Sequence, residues 1–142
     1  MKIVLDSNIL FSALISGKVV YIDILKALEV FVPDFIFIEI AKYEKTILRK
    51  TKVQEAFSLF VRELFSQITV IPNLGISRDT YKQALSLCED IDPKDTPYLA
   101  LSLELDIPLW TNDKKLIEGL SHKGYTKLIT TEEVFRLTLE SD

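Results

Sequence analysis

The sequence predicts an α/β domain: a three-layer sandwich with a central, mainly parallel sheet and helices on both faces. Three observations lead there. Short runs rich in branched apolar residues, such as Ile3-Val4-Leu5 and Ile68-Thr69-Val70-Ile71, alternate along the chain with longer segments of helical periodicity. The first of these runs is apolar on both sides of its pleat, the signature of a parallel strand covered by helices above and below. The 142 residues suffice for one continuous core and are too few for two, so a single domain over residues 1–142 is expected.

Each element follows in order. Lys2-Ile3-Val4-Leu5 reads as the first strand, ending at Asp6-Ser7-Asn8, residues that favour helix N-caps. A helix then runs to about Ser16-Gly17, and a second covers Val19 to Leu28. Val30-Phe31-Val32 is the next strand, stopped by Pro33. Asp34 is placed to cap a helix from Phe35 to Lys50, whose Ile36, Ile40, Tyr43 and Ile47 form one apolar stripe. Gln54 to Phe65 is amphipathic again, Ile68 to Ile71 is a strand, and a helix begun by Ser77 or Asp79 runs to Cys88. The acidic loop from Glu89 to Asp95 enters a helix over Thr96 to Leu105 that is apolar nearly all round, and so central. Ile107 to Trp110 is a strand, followed by Thr111-Asn112-Asp113 and a helix; Lys127 to Ile129 and Thr131 to Leu139 supply the last strand and helix. Periodicity leaves the strand order open.

Composition narrows the class. Hydrophobic residues make up 48% and charged residues 27%, a globular balance. No apolar run approaches the roughly 18–20 residues that span a bilayer, and Asp6 interrupts the N-terminal run too early for a signal peptide, so no membrane association is expected. Cys88 is the only cysteine; with no internal disulfide to form, it fits a reducing cytoplasm and reads as a small core residue. The net charge of −4 speaks against a nucleic-acid partner only at first sight, since carboxylates gathered round a metal count as negative until the metal binds. From Glu39 to Lys52 the chain carries Lys42, Lys45, Arg49, Lys50 and Lys52 against only Glu39 and Glu44. Such a run is ordinarily a solvated helix face.

In sheets of this kind ligands bind at the carboxyl ends of the strands. Asp6 and Asp113 each follow a strand directly, and Asp95 opens the helix that leads back into the Trp110 strand, so all three belong at that edge. Glu39 lies about four residues into the helix after the Val30 strand and Glu44 about nine, roughly 6 and 14 Å from its start; only Glu39 reaches the group. Aspartate is also a favoured N-cap. Capping accounts for any one of the three alone, but not for Glu39, nor for three caps on one edge. Clustered carboxylates repel and require a cation or protons, and an oxygen-only set suits Mg²⁺, Mn²⁺ or Ca²⁺ and disfavours zinc. Other chemistries are poorly supplied: His122 is the sole histidine, and no Gly-rich phosphate loop or Cys/His zinc spacing exists.

Leu5-Asp6-Ser7-Asn8, Phe37-Ile38-Glu39-Ile40, Asp92-Pro93-Lys94-Asp95-Thr96-Pro97 ahead of Ala100-Leu101-Ser102-Leu103, and Leu109-Trp110-Thr111-Asn112-Asp113 stand in that order. Together, and over essentially the whole chain, they resemble the PIN-domain nucleases, most closely compact prokaryotic members such as the VapC-type toxins. The resemblance implies a Mg²⁺- or Mn²⁺-dependent endoribonuclease with Asp6, Glu39, Asp95 and Asp113 as its acidic quartet, and Asp6, Asp95 and Asp113 as metal ligands. It implies that Thr111 orients a neighbouring carboxylate, that Asn8 and Asn112 are supporting or substrate contacts, and that Asp92 is an extra ligand or only the start of the turn at Pro93. Lys42, Lys45, Arg49 and Lys50 would then follow the phosphate backbone of an RNA substrate. No run of interleaved aromatic residues stands out, so contacts without a readable base code are expected.

A homodimer is expected and, in the toxin reading, an antitoxin protein partner. Phe11, Leu14 and Tyr21 are candidates for such a surface and equally for the core. Dehalogenase-like phosphatases and receiver domains also place an aspartate after the first strand, but the phosphatase would want a second at position 8, where Asn8 stands, and the receiver an acidic pair and a late lysine. A catalytically inactive scaffold that only binds RNA or protein is the non-enzyme alternative, against which the full quartet argues.

Overall fold

The structure, a computed structural model, describes residues 1–140. Among them, β1 (Lys2–Leu5), β2 (Glu29–Pro33), β3 (Ile68–Ile71), β4 (Leu109–Trp110) and β5 (Leu128–Ile129) form one sheet in the order β3-β2-β1-β4-β5. Every pairing is parallel, so the expected mainly parallel sheet is parallel throughout. Val4 of β1 lies opposite Phe31 on one side and Leu109 on the other. The chain therefore builds outward from β1 to β3, then returns to lay β4 on β1's other edge. The carboxyl ends of β1 and β4 flank the point where the winding reverses, the position at which open α/β sheets leave a crevice for ligands.

The helices are α1 (Ser7–Ser16), α2 (Val19–Lys26), α3 (Phe35–Lys50), α4 (Phe57–Ser66), α5 (Arg78–Cys88), α6 (Thr96–Leu105), α7 (Lys114–His122) and α8 (Thr131–Glu140). Right-handed crossovers put α1 to α4 on one face and, once the winding reverses, α5 to α7 on the other. Accordingly α2 and α4 pack on β2 and β3, and α6 packs on β1, β2 and β4 with α5 beside it. Every residue from Thr96 to Ser102 is buried, which is why α6 carries no polar face. On the first face α8 lies against α2, with the Tyr21 and Phe135 rings edge to face at 6.4 Å. Leu14 is buried, while Phe11 and Tyr21 are half-buried against neighbouring rings. Cys88 is buried, and burial pushes its thiol up to about 12. No helix among the described residues is long and apolar enough to cross a membrane.

Several boundaries differ from the periodicity for local reasons. β4 is only two residues long: Ile107 N–H is taken by the Ser102 carbonyl at 3.1 Å as α6 closes, and Pro108 has no N–H for a ladder. α4 begins at Phe57 because the Gln54 amide turns back to the carbonyls of Leu48 (3.0 Å) and Thr51 (2.9 Å) at the end of α3. Asp34 does not cap α3 with its side chain, which accepts from Asn73 N–H at 3.1 Å and tethers the chain leaving β3. Gly17 ends α1 at φ 63°, where a Cβ would stand 2.4 Å from Val53 Cγ1. The Thr51 hydroxyl donates to the Leu14 carbonyl at 2.8 Å, tying the far end of α3 to the far end of α1.

Candidate active site

Asp6 leaves β1 with its N–H donating to the Trp110 carbonyl at 3.0 Å, the last rung between β1 and β4. Its own carbonyl accepts from Ile9 and Leu10, which starts α1 without help from the side chain. The carboxylate makes no cap bond. It is instead buried at 2% exposure, with Oδ2 accepting from the Thr111 hydroxyl at 2.8 Å and Oδ1 left without a partner. Burial, reinforced by the charges of Glu39 and Asp113, outweighs the Thr111 hydroxyl and Ser7 N–H and pushes Asp6 up to about 6.

Asp95 closes the short 3-10 turn from Pro93 and stands at the start of α6. It too makes no side-chain cap. Pro97, two positions on, has no N–H to offer a capping oxygen. Its Oδ2 is buried and unpartnered, like Oδ1 of Asp6. Burial first, then the charges of Asp6, Asp92, Asp113 and Glu39, push Asp95 up to about 8. The capping alternative thus fails for these two aspartates. A carboxylate that is buried, orphaned and surrounded by others retains its proton or waits for a cation.

Glu39 reaches the group from α3, and the hydroxyl of Tyr98 on α6 donates to its Oε1. Tyr98 is 1% exposed, and its ring meets Phe35 edge to face at 6.4 Å. Burial and the Glu39 carboxylate drive this phenol well above its usual range, so it remains a donor. Asp113 divides its function: Oδ1 caps α7 by accepting from Leu116 N–H at 3.2 Å, while its charge still raises Asp6 and Asp95. The buried Thr111 hydroxyl, which donates to Asp6, also accepts from Asp113 N–H at 3.1 Å, so one group positions two acids. The N-termini of α1, α6 and α7 all converge on this edge, where their partial positive charge favours anions.

The other expected residues sort differently. Asp92 starts the turn, accepting from Lys94 N–H at 3.1 Å, yet also lines a cavity of about 340 Å³ with Glu39 and Asp95. Asn8 lines the same cavity from the exposed face of α1. Asn112 faces away from it: its amide donates to Thr131 Oγ1 at 2.7 Å and accepts from Thr131 N–H at 2.8 Å, fastening α8 to the end of β4. Lys42, Lys45, Arg49 and Lys50 are all exposed on α3 and enter no ion pair among the described residues. Lys42, Lys45 and Arg49 follow Glu39 along one side of the helix at spacings of three to four residues. Sequence reasoning passed over Tyr98, Phe11, Tyr43 and Lys94, the last three of which line the cavity. The apolar stripe of α3 accounts for Tyr43 as a packing residue, and only the fold brings it beside Phe11.

Among the described residues no group of three or more His, Cys, Asp or Glu side chains is closed into a ready-made metal cage. Glu39 is turned to Tyr98 and Asp113 to its helix cap, leaving Asp6 Oδ1 and Asp95 Oδ2 as the orphaned oxygens. An all-oxygen donor set with two unsatisfied buried oxygens fits a hard divalent cation. No curated protein matches the chain. Residues 4–135 match the PIN-domain family, a span running from β1 into α8 that contains every acid described above. Carboxylates from β1, α3, α6 and the end of β4 meeting at one sheet edge, within that span, mark this chain as a member of the PIN-domain nuclease family.

Proposed function

We propose that the chain is a divalent-metal-dependent endoribonuclease, with Mg²⁺ or Mn²⁺ held by Asp6, Asp95 and Asp113 and with Glu39 completing the acidic set. The observation that carries the reading is the pair of buried, unpartnered oxygens, Asp6 Oδ1 and Asp95 Oδ2, on acids that burial first, and neighbouring charges after it, push up to about 6 and about 8. A bound cation would supply charge neutralisation at the scissile phosphate and lower the pKa of an attacking water. The chain's residues do the rest. Thr111 fixes the rotamer of Asp6, Tyr98 fixes Glu39, and the helix N-termini favour the incoming phosphate. The exposed cations of α3 offer backbone contacts leading away from the acids.

The narrower reading, the toxin of a VapBC-type pair acting in the cytoplasm as a homodimer restrained by an antitoxin, is supported by the resemblance noted from sequence. Exposed Phe37, Ile38 and Leu48 on α3 also support a protein partner. The test of the main reading is cleavage of single-stranded RNA with Mn²⁺, with chelator, and with Asp6→Asn. Metal-dependent cutting that Asp6→Asn abolishes while the fold persists is the expected result. Binding of RNA without turnover in either metal would favour the inactive scaffold instead.

A further inference from the structure

The cavity beside the acids is not acidic throughout. Glu39, Asp92 and Asp95 line one part of it, while Phe11 of α1 and Tyr43 of α3 line another. The two rings meet at 5.6 Å with their planes at 62°, an edge-to-face contact that braces Tyr43 against α1. Even so, Tyr43 remains 36% exposed. Lys42 Nζ lies 5.4 Å from the centre of the Tyr43 ring, so a cation and an aromatic surface stand together where the basic side of α3 begins. Asn8 borders the same space, and among the described residues its amide has no hydrogen-bond partner. A rigid, half-covered ring, an adjacent cation and an uncommitted amide form a set suited to a flat heteroaromatic group attached to a phosphate.

We propose that the Phe11–Tyr43 end of the cavity is a nucleobase subsite. An unpaired base of the RNA lies against Tyr43, with Asn8 at its edge and its phosphodiester at the carboxylate end. Bases inside a duplex are stacked and paired and have no free face to offer, so the substrate this subsite selects is single-stranded. Every base has a π face, so the selection is for an unpaired base and only weakly for which one. The subsite rests on the nuclease reading for the placement of the phosphate, but it is read by binding alone.

The measurement is fluorescence anisotropy in Mg²⁺ buffer with the Asp6→Asn chain, so that nothing is cut. The ligands are a labelled single-stranded oligoribonucleotide and an oligomer of equal length and charge carrying abasic residues throughout. Adding Tyr43→Leu should weaken binding of the intact strand about tenfold and leave the abasic strand within about twofold. Tyr43→Phe, which keeps the ring, should bind as the parent does. An equal loss for both ligands, no loss for either, no binding at all, or a loss in Tyr43→Phe matching that of Tyr43→Leu overturns the subsite. The nuclease reading fails separately: a chain without cleavage in Mn²⁺ that still distinguishes the two strands through Tyr43 keeps the subsite and loses the activity.

Discussion

The Thr111 hydroxyl donates to Oδ2 of Asp6 over 2.8 Å, joining the ends of β4 and β1 across 105 positions of sequence. It also receives the Asp113 N–H, so a single side chain sets the spacing between two of the acids. Thr111→Val keeps the shape and removes the donor. The expected result is a fall in kcat of about 10- to 100-fold, the usual size of an effect on a group that orients a ligand. Thr111→Ser should recover most of it, and steady-state cleavage kinetics of the two variants check the claim.

Tyr98 holds Glu39 from the opposite helix layer. Tyr98→Phe leaves the buried ring and its Phe35 contact in place but frees the carboxylate. The Mn²⁺ concentration for half-maximal cleavage should rise about tenfold with KM for RNA nearly unchanged. Unchanged metal dependence would show that the hydrogen bond does no more than satisfy a buried phenol.

Stability should depend on pH in a direction set by the two raised acids. Asp6 lies near 6 and Asp95 near 8 in the folded chain, against 3.8 for the unconstrained carboxyl. The folded state therefore prefers their protonated forms; that stabilisation is complete below about 3.8 and is lost as pH rises through 6 and then 8. For Asp6 alone the loss is on the order of 3 kcal/mol. Metal-free protein in chelator should show Tm falling between pH 5 and pH 9, and saturating Mg²⁺ or Mn²⁺ should restore more at the alkaline end. Asp6→Asn should make the metal-free curve shallower, leaving the part that burial of Asp95 contributes. A metal-free Tm that climbs over this range would contradict the burial argument.

Asn112 and Asp113 are neighbours with separate duties. Asn112 is committed to Thr131, so Asn112→Ala should lower stability by about 1–2 kcal/mol while folded protein keeps most of its activity. Asp113→Asn should show the reverse ratio: modest loss of stability, since an amide oxygen still caps α7, and severe loss of cleavage. Urea melts and rates corrected for folded fraction separate the two.

The fold was legible wherever one local period ruled. The Ile3–Leu5 run, the all-round apolar α6 and the strand-to-helix junctions at Asp6 and Asp113 are each determined within a few residues. Strand order was not, because the rule that would place β4 beside β1 depends on which edge remains open after three strands have formed. In the site, the acids of the quartet were readable as charges at one edge. Which of them are spent on helix caps was not readable: Asp113 caps α7, while the carboxylates of Asp95 and Asp6 are buried without capping, a difference set by packing between elements distant in sequence. Tyr98 and Tyr43 were hidden for a further reason. Both sit on helices whose apolar pattern explains an aromatic residue fully, and only contacts between elements distant in sequence give their hydroxyl or ring face a second task.

The position of β4 at the reversal of the sheet has a consequence for how the protein is made. During synthesis Asp6 leaves the ribosome on the order of 5–20 seconds before Thr111, at about 5–20 residues per second. Throughout that interval β1 has no partner on its β4 edge, and Asp6 lacks the hydroxyl that orients it. No shorter N-terminal fragment holds both halves of the acidic edge. A nascent chain therefore carries no assembled acidic edge until β4 has emerged, and the return of β4 to β1 completes the site.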